Sequence, residues 1–330
     1  MEKKVEKFGR PAPEIEGLVA ATGLSPLITC SLDTGDRGLM STFMERWHKK
    51  ISSFHPSVGE VTITLDDVAS LLHFPITDAF HTFEPLHVDD VILLLVKFLE
   101  VSAEKVRAET VQCHGAYVRT IPWGICLTIL ATRPQAYLLH LLGCTLFANK
   151  SATHVHVSGS YALGAVALVH MYDNLNDASK STARQLAGYI TLLHRKPRAY
   201  HWKSGKTLPI STYRGRLDRL TSDIVCWIPY GDHRAFREFE VISLFFRHII
   251  CCLFIVIHRP KMDVRQFGYV QTIPPHHAAH SLCIEDIDDR WIQFSGYIAP
   301  VGQICVTPNQ CSPNYMDWFY LISHPFMSPA

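Results

Sequence analysis

The strongest constraint in this sequence lies at Thr64, where the spacing of apolar residues changes. Before it, Phe54 to Ile63 reads as extended chain, with Val61 and Ile63 alternating with Thr62 and Thr64. After it, Leu65, Val68, Ala69 and Leu72 recur at helical spacing and predict one buried face. Thr64 stands three residues before Asp67, so each side chain can reach the other's backbone amide and start a helix over 65–73. Pro75 ends that helix, because proline has no amide proton for the next turn. An extended segment running straight into a capped helix fixes one corner of the fold.

Helical patterns dominate elsewhere. Asp36 predicts a cap for a helix to about Lys49, with Leu39, Met40, Phe43 and Trp47 on one stripe. Further helices are expected over 89–99, 102–109, 134–147, 161–172, 181–194 and 213–220, and a final one from about Glu285 carrying Ile287, Trp291 and Phe294. Extended segments are expected at 154–157, 225–230, 249–257 and 266–273. Arg195 to Ser211 is basic and rich in loop formers, an internal loop. The fold class is therefore α+β, predominantly α-helical, in a single large domain with a few short strands. Residues 1–23 read as a lead segment and 24–330 as the domain.

Composition excludes several classes. Apolar residues make up 48% of the chain and charged residues 18%, enough apolar surface for a large core. Lys and Arg total 31 against 30 for Asp and Glu, so no excess positive charge is available to displace counterions from a nucleic-acid backbone. A strong direct nucleic-acid partner is not expected. The most apolar window, 239–257, is broken by Glu240, Arg247 and His248, leaving nine uninterrupted residues where a span needs about 20. No membrane insertion is expected. The ten cysteines sit largely in apolar runs behind a charged head, and read as reduced core residues without disulfides.

No catalytic constellation is complete. Ser204-Gly205-Lys206-Thr207 invites a phosphate-loop reading, but position 200 is Tyr where that loop needs glycine. His154 and His156 would share one strand face, His140 and Cys144 one helix face, and His276, His277 and His280 one loop. None reaches four converging ligands, and the chain has no CxxC, so no metal is expected. Glu285, Asp286, Asp288 and Asp289, like Asp66 and Asp67, sit where a helix begins, which the helix dipole favours without any metal. No nucleophile elbow is present.

The run from Trp47 to Pro75 closely resembles the signature of the plant mobile domain. That pattern, a Trp, a Phe, then Gly-Glu-x-Thr-x-Thr-Leu-x-Asp-Val, falls here on Trp47, Phe54, Gly59, Glu60, Thr62, Thr64, Leu65, Asp67 and Val68. Family-like stretches continue over 136–157, 169–193, 213–230, 265–275 and 286–326. Such domains occur in plant transposable elements and in host proteins of the maintenance-of-meristems-like group. The resemblance implies a non-enzymatic nuclear protein linked to meristem maintenance, transcriptional silencing and genome integrity through contacts with other nuclear proteins. It carries over no catalytic or cofactor-binding residues, so the motif positions are expected to be structural. The family is also termed aminotransferase-like, but no lysine here is assignable to pyridoxal phosphate. No cofactor and no small-molecule substrate are expected. Some relatives carry a fused phosphatase; with the chain ending at Ala330, none is expected here.

Departures from the family pattern occur at 119–133, after Val157, after His194 and over 244–253. Each would remove packing partners from neighbouring helices. The alternative reading is accordingly a degraded, transposable-element-derived accessory protein, with weak nucleic-acid contact through 195–206.

Overall fold

The computed structural model describes residues 13–21, 24, 37–74, 76–77, 87–99, 101–112, 117–119, 137–138, 141–142, 154–156, 163–179, 208–234, 238–251, 254–275 and 282–323. Its helices are α1 (Pro13–Ala21), α2 (Arg37–Met44), α3 (Leu65–Leu72), α4 (Val88–Leu99), α5 (Ala103–Gln112), α6 (Leu163–Ala178), α7 (Ile210–Asp218), α8 (Ile284–Ile292) and α9 (Tyr315–Ile322). Three two-stranded antiparallel sheets complete the described elements: β1 (Trp47–His48) with β2 (Ser53–Phe54), β3 (Tyr117–Arg119) with β4 (His154–His156), and β5 (His248–Cys251) with β6 (Phe254–Ile257). The fold is α+β and mostly helical.

Helix α6 forms the centre. Ala165 to Val169, Met171, Tyr172 and Leu175 are all buried, so the helix is covered on nearly every side. It packs against α3, β1, β5 and β6. One apolar cluster runs from Ile15 and Val19 of α1 through Phe43, Phe54, Leu65 and Leu72 to Ile287 and Trp291 of α8. The expected lead segment therefore sends two side chains into the core. No described helix is long and apolar enough to cross a membrane.

The junction at Thr64 forms as its chemistry requires. Thr64 is extended, its hydroxyl accepts from the Asp67 amide at 3.1 Å, and Asp67 Oδ2 accepts from the Thr64 amide at 2.7 Å. Leu65, Val68, Ala69 and Leu72 are buried as their spacing predicts. His73 closes the helix in a left-handed conformation, its amide donating to Ala69 O.

Several expected elements take other forms. The helix expected to reach Lys49 ends at Met44, and Trp47 lies in β1, where it pairs with Phe54 across the hairpin. The single strand expected over 249–257 is the hairpin of β5 and β6, with Ile250 opposite Ile255. Val225 to Tyr230 is irregular chain that buries Val225 and Trp227 without joining a sheet. Residues 264–267 form a 3-10 turn, and only Tyr269 and Gln271 of the expected strand make bridges, to Ile304 and Cys311. Helix α9 follows the helix expected to be last, and Phe294 lies in a 3-10 turn after α8. The helix expected over 181–194 and most of that over 134–147 lie outside the described residues, as does most of the 195–211 loop.

Candidate functional site

The residues of the Trp47–Val68 motif converge on one face of the core. Trp47 meets Phe54 edge-on at 4.7 Å between ring centres and Tyr172 at 5.2 Å, and its indole N–H donates to Asn176 Oδ1 at 2.8 Å. Phe54 in turn stacks on Phe43 at 4.3 Å. Leu65 and Val68 are buried in the apolar cluster on α3, a helix that packs against α6.

The polar motif residues stitch distant chain to this hairpin. Gln266 reads the backbone of Thr62 in both directions: its Oε1 accepts the Thr62 amide at 2.8 Å and its Nε2 donates to Thr62 O at 3.1 Å. The Thr62 hydroxyl donates to Ser52 O at 2.6 Å and lies 3.0 Å from the Tyr172 hydroxyl, which donates to Ile63 O. Asp67 Oδ1, opposite its capping oxygen, accepts from Tyr230 at 3.0 Å. Asp66 holds Arg234 through both carboxylate oxygens, at 3.0 and 2.6 Å. The acidic pair at this helix start is thus a cap and an ion-pair anchor.

Gly59 and Glu60 face a buried charged cluster. Gly59 has φ of +110°, and a Cβ there would overlap the Arg265 guanidinium. That guanidinium lies 3.8 Å from the centre of the Trp227 ring and 5.2 Å from that of Tyr315, and donates to Val58 O at 3.2 Å. The Tyr315 hydroxyl reaches Glu60 Oε2 at 3.3 Å, while Glu60 Oε1 stands 3.6 Å from His55 Nε2. Burial, with the Asp263 carboxylate beside it, holds Glu60 well above the usual carboxylate range. Burial and then the stacked His48 ring push His55 down to about 3. The pair therefore favours a neutral acid next to a neutral imidazole.

An acid beside an imidazole is chemically capable of proton transfer, but this one is enclosed. Glu60, Asp263 and Arg265 are each exposed by 2% or less, and Tyr315 is wholly covered. Elsewhere, His154 and His156 lie on β4 opposite Arg119 and Tyr117. Cys283 caps α8, its Sγ accepting from the Asp286 amide at 3.5 Å. Among the described residues no three His, Cys, Asp or Glu side chains group as metal ligands. The 204–207 loop, the His140 and Cys144 pair and the 276–280 histidines lie outside the described residues.

Spacing along the chain locates the motif but not the residues it faces. Arg265, Gln266, Tyr315, Trp227, Tyr230 and Tyr172 are missed as site residues by local pattern. All six do fall in the stretches that resemble the family, which is the one signal that singles them out.

Comparison with known proteins gives the same region its context. A family model described as plant mobile domain matches residues 23–195, just over half of the chain. The chain is 27% identical to Protein MAIN-LIKE 1 of Arabidopsis thaliana over 87% of its own length and 66% of that protein. It is 25% identical to Protein MAINTENANCE OF MERISTEMS of the same plant, covering 88% of this chain and 70% of the relative. It is also 23% identical to an Arabidopsis serine/threonine-protein phosphatase 7 long form homolog over 89% of this chain, a region that makes up 27% of that protein. No solved structure matches the chain.

Proposed function

This chain belongs to the plant mobile domain family, and on that premise we propose that it is a non-enzymatic interaction module of the nucleus. Its role is meristem maintenance and silencing of repeats, carried out through contacts with other nuclear proteins. The observation that carries this reading is the fate of the family motif. Trp47, Phe54, Glu60, Thr62, Thr64, Leu65, Asp67 and Val68 are all buried, so the motif presents nothing to a substrate and instead assembles the domain. Outside the motif, Val306, Leu321 and Ile304 are 91%, 86% and 75% exposed and leave apolar side chains available to a partner. Two relatives named for meristems or as main-like carry no enzyme activity in their names, and the phosphatase-named relative shares only 27% of its length.

Expression of the fluorescently tagged chain in Arabidopsis lacking MAINTENANCE OF MERISTEMS tests the reading. Nuclear fluorescence with restored meristem organisation is the expected result. Exclusion from the nucleus, or no rescue at normal protein levels, would overturn it.

A further inference from the structure

Outside the motif, positive charge gathers on aromatic rings where the chain entering β5, two 3-10 turns and α8 meet. Arg247 lies 4.4 Å from the centre of the Phe246 ring and 5.6 Å from that of Tyr297. Lys261 shares the Phe246 ring at 4.3 Å, and Arg290 shares the Tyr297 ring at 5.4 Å. The backbone holds the two rings together, since the Phe246 amide donates to Tyr297 O at 3.0 Å. Phe246, Arg247, Lys261, Arg290 and Tyr297 are all partly exposed. Arg247 and Arg290 make no ion pair among the described residues.

Like charges held this close repel. Burial and then Arg290 lower the pKa of Arg247, and burial and then Arg247 lower that of Lys261. His248 is lowered by burial and then by the surrounding arginines. Cation–ring contact compensates part of that repulsion, and an anion seated among the cations would remove the rest.

We propose that this cluster receives a phosphorylated serine or threonine of a partner protein, with the Arg247 and Arg290 guanidiniums and the Lys261 ammonium on the phosphate. The proposal rests on the interaction-module reading and names the chemistry of the partner. A phosphate monoester concentrates a charge of about −1.5 to −2 and three strong acceptor oxygens at one point, which suits a compact cluster. Arginine forks bind such oxygens in pairs. A nucleic-acid strand would instead need positive charge spread along a track, and the chain as a whole carries a net charge of only +1.

Fluorescence anisotropy with the full chain distinguishes these ligands. The probes are a degenerate peptide pool centred on phosphoserine, the same pool with serine, and a single-stranded oligonucleotide. The phosphorylated pool should bind at least about tenfold tighter than the serine pool, with inorganic phosphate competing and rising salt weakening binding. Arg290→Gln, at a partly exposed position of α8, should lose about tenfold in affinity with its melting temperature unchanged. Arg247→Lys should keep the charge and lose the fork, giving an intermediate affinity. Equal binding of the two pools, tighter binding of the oligonucleotide, or an unaffected Arg290→Gln would each overturn the proposal. Loss of phosphate selectivity while the chain still rescues meristems defeats this site alone. Phosphate selectivity without rescue defeats the functional reading alone.

Discussion

The Arg265 guanidinium fills the space into which a side chain at Gly59 would project. This places the glycine of the motif against a residue more than 200 positions later in the chain, and ties the Trp47–Val68 region to the Trp227 and Tyr315 rings. Gly59→Ala must both hold a positive φ and displace a buried guanidinium, so it should destabilise the fold by about 2–5 kcal/mol. Gly215, inside α7, has nothing within 4 Å of a built Cβ, and Gly215→Ala should stabilise by up to about 1 kcal/mol. Urea denaturation of the two variants side by side checks both signs.

At the start of α3, Thr64→Ala removes one half of a reciprocal cap and should lower stability by about 1–2 kcal/mol. Asp67→Ala should cost more, because it also removes the acceptor of the Tyr230 hydroxyl, which donates to Asp67 Oδ1 at 3.0 Å. In a double-mutant cycle the two losses should be less than additive, since they share the Thr64–Asp67 pair. Additive losses would show that the cap is not coupled.

Deep packing offers a further test at Leu72 of α3, which is wholly buried in the apolar cluster. Leu72→Ala should cost about 2–5 kcal/mol, the range for a cavity left in a rigid core. A loss below about 1 kcal/mol would mean that the neighbouring helices collapse into the space.

Acid should weaken this protein through two buried histidines. His55 is lowered to about 3 and His258 to about 4, mainly by burial, while the unfolded chain has the ordinary value of 6.5. Both contribute fully above pH 6.5 and lose that contribution as the pH falls towards their folded values. At about 1.4 kcal/mol per pH unit for each group, moving from pH 6.5 to 5 should remove roughly 4 kcal/mol. Glu60 acts in the opposite sense: its raised pKa gives stability that is present at low pH and lost as the pH rises through its folded value. Urea midpoints at pH 7 and 5 report the balance. Replacing His258 by Asn, which can keep the 2.6 Å contact with Phe245 O, should flatten the acid slope. A His258→Asn variant whose midpoint falls as steeply from pH 7 to 5 as that of the unsubstituted chain would contradict the account.

How much of this was legible in the sequence follows from how local each interaction is. The cap at Thr64 and Asp67 lies within one helical turn and can be read directly, whereas the expected extended run over 54–63 turns back on itself at 57–58 so that Phe54 bridges Val61 antiparallel. Gln266 meets Thr62 across 204 residues and Tyr315 meets Glu60 across 255, and no spacing rule reaches that far. Trp47 fits the helical stripe of Leu39, Met40 and Phe43 because apolar spacing does not register where a helix stops. The hairpin at 248–257 is hidden for a related reason: the sequence over 248–257 contains none of the glycine or asparagine that marks a tight turn. Trp227 falls in an expected strand because a buried irregular segment can be as apolar as a strand, and here it supplies the platform under Arg265.

The central claim is that the family motif builds the domain and performs no chemistry, and Glu60 is where it can fail. Glutamine at this position keeps the shape and hydrogen-bonding capacity of a neutral acid while removing its ability to exchange a proton. Meristem rescue by Glu60→Gln in Arabidopsis lacking MAINTENANCE OF MERISTEMS, at matched protein levels, tests the claim most directly. The account predicts rescue equal to that of the unsubstituted chain, with a melting temperature at pH 7 that is the same or higher. A variant that melts normally yet fails to rescue would contradict it and assign proton transfer to the Glu60–His55 pair.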